Sequence, residues 1–214
     1  MIKTPNLVAG YRFEGNANDW SGNGNHGTVY GASLAAGKFG QCYSFNGVDN
    51  YINCGNNASL AITTTLSISL WAKLTGTIGT DNTFMVSKKN TNWNQAAGYQ
   101  VYYSPYNNGI IDIMAQGSYF KRHTLLQDYN WHHYAIIWEG TTLSLYQDAQ
   151  FISGTYSGTP ASVIAGNDAL WINKRDETNI AYSKSIIDEV RIYNRALTES
   201  EIRQGMLGYE PGEF

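Results

Sequence analysis

Charge is scarce in this chain. Only 14% of its 214 residues are Asp, Glu, Lys or Arg, and the formal net charge is -3. With no basic stripe to neutralise phosphates, the composition argues against nucleic-acid binding. No run approaches the ~18 apolar residues of a membrane-spanning helix, so no membrane insertion is expected. The opening stretch, Met1-Ile2-Lys3-Thr4-Pro5-Asn6, lacks the apolar run of a secretory signal peptide. Cysteine is limited to Cys42 and Cys54, which flank Phe45-Asn46-Gly47-Val48-Asp49-Asn50-Tyr51. A hairpin pivoting on Val48 would set the two cysteines opposite one another, as a disulfide or as two buried free thiols.

Aromatic residues are plentiful, with 16 Tyr, 7 Phe and 6 Trp, and they exclude a disordered chain. The polar load falls on Asn, Ser, Thr and Gly, a balance that suits a β-rich extracellular or surface protein. A chain of this length buries roughly 70% of its unfolded surface, enough for one sizeable core. No composition break or internal repeat divides it, so residues 1–214 are read as a single domain.

Short strands with turn signals between them run through the chain. Leu7 to Glu14 is the first strand. Leu66-Ser67-Ile68-Ser69-Leu70-Trp71-Ala72-Lys73-Leu74 alternates cleanly, with its Leu, Ile and Ala side chains on one face. Gly98–Tyr103 and Gly109–Ala115 pair as a hairpin, and Trp131–Glu139 pairs with Thr142–Asp148 across Gly140-Thr141. This pattern predicts an all-β fold, a two-sheet antiparallel β-sandwich with one short C-terminal helix. Thr198-Glu199-Ser200-Glu201 has the capping-box spacing that starts that helix.

The closing strand poses the sharpest question. Strict alternation puts Ile186, Asp188, Val190 and Ile192 on one face and Ile187, Glu189, Arg191 and Tyr193 on the other. A carboxylate among apolar neighbours needs a cation or hydrogen-bond donors, so Asp188 must have one or the other. A second question is the loop Gly15-Asn16-Ala17-Asn18-Asp19-Trp20-Ser21-Gly22-Asn23-Gly24-Asn25-His26-Gly27. A loop this long in a compact domain implies either ligand binding or an ion that organises it.

Several segments, in order, resemble the laminin-G-like jelly-roll domains of the concanavalin A-like lectin/glucanase superfamily. They are Tyr11-Arg12-Phe13-Glu14, Asp19 to Gly27, Gly37-Lys38-Phe39-Gly40, Ser44 to Ile52, Ile68 to Ala72, Trp131-His132-His133-Tyr134-Ala135 and Ile187 to Leu197. The resemblance implies two stacked sheets with the first and last strands side by side. It also implies a structural calcium near those strands. The matching positions are Asp188, Asp19 and Asp49, with Glu14 and Asn23 as additions, and oxygen-rich side chains of this kind suit that ion.

Fold alone leaves the function open, because lectins, adhesion domains and hydrolases share it. Glycosidases need two carboxylates facing one cleft, and no strand here carries a Glu-X-Asp or Glu-X-Glu pair. Adjacent His132 and His133 point opposite ways in a strand and cannot share a zinc ion. Glycan recognition uses exposed aromatic faces beside amides. In the loops these are Trp93 with Asn92 and Asn94, then Trp20 and Tyr106. The reading is a non-catalytic carbohydrate-binding module, outside the cell or on a particle or cell surface. The alternative is a protein-adhesion or display domain with a surface protein as partner.

Overall fold

In the computed structural model, residues 4–75, 83–89, 98–104, 110–113, 120–122, 129–153, 155–157, 166–175 and 182–210 are described. The first strands are β1 (Leu7–Tyr11), β2 (Thr28–Tyr30), β3 (Ser33–Ala36), β4 (Gln41–Asn46), β5 (Tyr51–Asn53) and β6 (Thr65–Leu74). Next come β7 (Thr83–Lys89), β8 (Gly98–Ser104), β9 (Ile110–Ile113), β10 (Phe120–Arg122), β11 (His132–Glu139) and β12 (Thr142–Gln147). The last are β13 (Gln150–Ile152), β14 (Thr155–Ser157), β15 (Trp171–Ile172), β16 (Lys184–Tyr193) and helix α1 (Glu199–Met206).

Two antiparallel sheets stack face to face. One runs β13-β12-β11-β6-β16-β4-β3, with β1 also on β16, and the other runs β2-β5-β15-β7-β8-β9. Between them lie the alternate residues of each strand, including Leu66, Ile68, Leu70 and Ala72 of β6, Ile136 of β11, Ile52 of β5 and Val86 of β7. The first and last strands are neighbours as expected, with Leu7 opposite Tyr193 and Tyr11 opposite Val190. The β11–β12 hairpin turns after Glu139, which faces Thr142.

A second, smaller core sits on the outer face of the larger sheet. Helix α1 lies there, and its Ile202, with Leu197 just before the helix, packs with Ala135, Ile137 and Tyr193. Its start is the expected capping box: Glu201 N–H donates to Thr198 Oγ1, and Thr198 N–H donates to Glu201 Oε2 at 2.9 Å. Arg195 then grips Glu201 with two bonds of 2.8 and 2.6 Å, tying the closing strand to the helix.

Two expectations fail here, each for a local reason. Cys42 and Cys54 do not lie on a hairpin, because β4 belongs to one sheet and β5 to the other. The turn that crosses between the sheets needs Gly47 at φ 79 and a bond from Asn46 N–H to Asn50 Oδ1. Both thiols are free and buried.

The closing strand also breaks its alternation. One extra residue is inserted between Asp188, opposite Trp71, and Arg191, opposite Ser69, with Glu189 at φ 52. That β-bulge shifts the period. Ile187 faces the core before it, and Val190 and Ile192 face the core after it. Asp188 therefore pairs beside the outward-facing Trp71 and does not share a face with Val190 and Ile192.

Candidate functional site

The long Asn/Gly loop is fastened by one carboxylate. Asp19 Oδ1 accepts the N–H groups of Gly10 and Ser21, both at 2.9 Å. Its Oδ2 accepts the Ser21 hydroxyl at 2.8 Å and Asn25 N–H at 2.9 Å. Around it, Asn23 Nδ2 donates to the carbonyls of Leu7 and Val8, and Asn25 Nδ2 donates to Val8. These amides satisfy carbonyls of β1 that its pairing with β16 leaves over. Trp20 lies across the same strand at Gly10, where a Cβ would come within 2.6 Å of the indole, and the Arg12 guanidinium sits 4.6 Å from its centroid. It is a lid on the sheet.

Asp188 is clasped by a different turn. Its Oδ2 accepts Lys38 N–H at 2.9 Å and Phe39 N–H at 3.1 Å, and its Oδ1 accepts Glu189 N–H at 2.8 Å. Gly37 makes the approach possible, since a Cβ there would stand 2.6 Å from Asp188 Oδ2. Burial pushes the carboxyl up to about 7 against the pull of those three N–H groups. Glu14 Oε1 accepts Gln41 N–H at the end of the same turn. Asp49 lies elsewhere, accepting the amides of Asn46 and Asn50 in the turn between the sheets.

The fold does not gather these five residues around one point: Asp19 and Asn23 lie in the Asn/Gly loop, Asp188 and Glu14 at the 37–41 turn and Asp49 in the turn between the sheets. Calcium needs six to eight converging oxygen lone pairs. Here the carboxylates of Asp19 and Asp188 are aimed at N–H and O–H protons, and Asn23 is engaged as a donor. Among the described residues, no three His, Cys, Asp or Glu side chains cluster as a metal set. Three N–H donors supply the partners that Asp188 needs.

The outer face of the larger sheet holds a buried ion lock. Arg191 contacts Glu189 Oε2 at 2.7 Å and Glu210 Oε1 at 3.2 Å, and Arg12 reaches the same Glu210 oxygen at 3.1 Å. Beside it, His133 Nε2 meets Ser69 Oγ at 2.9 Å, and burial with the nearby Arg191 pulls the imidazole down to about 3. His132 turns away to Asp148 at 2.7 Å. The acids on this face hold a guanidinium and the fold.

The smaller sheet presents something different. At its β2 edge, Tyr30 stacks on Tyr51 with centroids 4.6 Å apart and planes 15° apart. Tyr51 stacks in turn on Tyr182 at 5.9 Å and meets Trp171 edge-on at 5.5 Å. Behind this row, Lys174 Nζ lies 4.0 Å from the Trp171 centroid and 4.7 Å from that of Tyr51. Three tyrosines stand in file, and Tyr30 at the end of the file is 44% exposed. Among the described residues β2 has no neighbouring strand on its outer side.

Register builds this row. Val29, Ile52 and Ile172 align across β2, β5 and β15 and point into the sandwich, so Tyr30, Tyr51 and Trp171 beside them must point out. Sequence reading missed all of these residues. The available signal was a Val/Ile–aromatic dyad repeated in three strands, which becomes a cluster only once the strands are paired. Of the loop candidates, Trp93, Asn92, Asn94 and Tyr106 lie outside the described residues.

Comparison with known proteins agrees with this architecture. Domain 4 of AbnA, a GH43 extracellular arabinanase from Geobacillus stearothermophilus in complex with arabinotriose, is 23% identical with a TM-score of 0.72. The match covers 94% of this chain and 98% of that one. The binding domain of Paraclostridial Mosquitocidal Protein 1 has 18% identity and a TM-score of 0.73, over 94% of this chain and 52% of that one. The binding domain of Botulinum Neurotoxin DC in complex with SialylT has 11% identity and a TM-score of 0.69, over 96% of this chain and 52% of that one. No curated protein sequence matches. The family model for laminin-G-like domains of the Concanavalin A-like lectin/glucanases superfamily matches residues 46–203, and the chain belongs to that family.

Proposed function

We propose that this domain is a non-catalytic carbohydrate-binding module that seats its sugar against the Tyr30–Tyr51–Tyr182 file, displayed outside the cell or on a surface. The observation that supports the reading most is the file itself: aligned aromatic rings on the outer face of a lectin-superfamily sheet, ending in an exposed Tyr30. A sugar ring presents C–H groups that pack on an aromatic face, and its hydroxyls meet the phenol groups along the row. Two structures of the same fold carry arabinotriose and SialylT by their own descriptions, which favours a glycan here as well. The carboxylates Glu189 and Glu210 share Arg191, and this supports a binding role over hydrolysis.

Affinity should be weak, because a shallow platform buries little of the ligand and orders few polar anchors. A glycan array selects the ligand, and calorimetric titration measures it. Tyr30→Ala should weaken binding about tenfold or more, equivalent to about 1.4 kcal/mol, while leaving the melting temperature nearly unchanged. Trp93→Ala is the companion variant from the sequence reading. If Trp93→Ala abolishes binding and Tyr30→Ala does not, the platform includes Trp93 instead. If no glycan binds and a protein partner does, the module is an adhesion domain.

A further inference from the structure

We infer that the sugar recognised at this face is acidic, its carboxylate pairing with Lys174. The inference rests on the carbohydrate reading above and goes further by naming the ligand's chemical class.

Lys88, Lys89 and Lys174 are all buried. Lys88 is fully buried and its ammonium is fully served: Asn56 Oδ1 at 2.6 Å, Asp168 O at 2.7 Å and Gly166 O at 3.0 Å all accept from it. That is how this fold treats a lysine whose work is structural. Lys174 is only 8% exposed, yet among the described residues its ammonium has no hydrogen-bond acceptor and no ion-pair partner. Its near neighbours are the π-faces of Trp171 and Tyr51.

Aromatic faces return about 0.5–2 kcal/mol to a cation and leave its three N–H donors without an oxygen acceptor. An oxyanion arriving along the tyrosine file would supply the missing acceptor. A neutral sugar brings only hydroxyls, and a charge-assisted bond is roughly twice as strong as a neutral one. The phenols of Tyr30, Tyr51 and Tyr182 can donate to an oxyanion, and among the described residues the buried Trp171 indole N–H has no acceptor. The domain as a whole is at -3, so this cation also stands against the sign of the protein around it. A carboxylate on a sugar ring therefore matches the site in both shape and charge.

Two kinds of sugar carry such a group, uronic acids and sialic acids, and the test separates them. Trigalacturonate and sialyllactose are titrated beside the neutral arabinotriose and lactose. One acidic ligand should bind about tenfold tighter than its neutral counterpart, and that preference should fade as salt rises. Lys174→Gln should erase the preference and its salt dependence while leaving neutral binding in place, and Lys174→Arg should keep both. Equal affinity for acidic and neutral sugars would overturn the inference and leave the carbohydrate reading standing. A preference that survives Lys174→Gln would also overturn it. Silence from every sugar would remove both readings together. Should Lys174→Gln fail to fold, the salt series on the unaltered protein decides, because a preference indifferent to salt contradicts the charge pairing.

Discussion

Replacing Asp19 by Asn changes one atom of the loop lock, so its cost can be worked from the bonds. The carboxylate accepts from four donors: Gly10 N–H, Ser21 N–H, the Ser21 hydroxyl and Asn25 N–H. An amide has only one oxygen. Its best pose keeps that oxygen on Gly10 and Ser21 and turns the NH2 toward Ser21 Oγ, whose proton can go to Val8 O. Asn25 N–H then faces a second donor and is left buried without a partner. Such an orphan costs about 1–3 kcal/mol, and the surviving bonds fall from charge-assisted to neutral strength. The sum is roughly 3 kcal/mol. With a urea m-value of about 2 kcal/mol/M, the unfolding midpoint should drop by roughly 1.5 M. The loss should be the same in millimolar calcium and in chelator, because it comes from the four protein donors on the carboxylate. A loss below about 1 kcal/mol, or one seen only when calcium is present, would refute this account of the loop.

Two more predictions concern buried titratable groups. His133 is held down to about 3, so the stability it contributes is complete above its unfolded value of 6.5 and is lost as pH falls toward 3. Asp188, raised to about 7, acts the other way: its contribution is complete below 3.8 and is lost as pH rises through 7. Between pH 4 and 6.5 the two slopes, about 1.4 kcal/mol per pH unit each, oppose one another. Urea unfolding of the unaltered protein should therefore vary little across that range, whereas His133→Gln should lose stability steadily toward pH 7. The buried thiols are both pushed up to about 12, so a thiol reagent should count none in the native protein and two after denaturation.

Much of the fold was legible because hydrophobic alternation is a local signal. Leu66, Ile68, Leu70 and Ala72 all point inward as their spacing requires, and the hairpin turning after Glu139 follows from its own residues. The capping box at Thr198 is equally local. Failures began where one residue reset the register. Glu189 in a left-handed conformation turned Asp188 away from the face that strict alternation assigns it. Nothing in Ile187-Asp188-Glu189-Val190 announces that bulge. Asp19 and Asn23 were marked for the right loop, but their hydrogen bonds to Gly10, Ser21, Asn25 and the β1 carbonyls were not legible, since carboxylates that bind N–H groups and those that bind ions have the same composition. The aromatic file joins residues 30, 51, 171 and 182. Their meeting depends on strand pairings between distant parts of the chain, which no window along the sequence contains.

A glycan seated on the outer face of the smaller sheet would be seen by amide chemical-shift mapping during a glycan titration. Saturable shifts should centre on Tyr30, Tyr51, Trp171, Lys174 and Tyr182. Shifts centred on Trp20 and Arg12 over the larger sheet, with the tyrosine file unmoved, would contradict that placement.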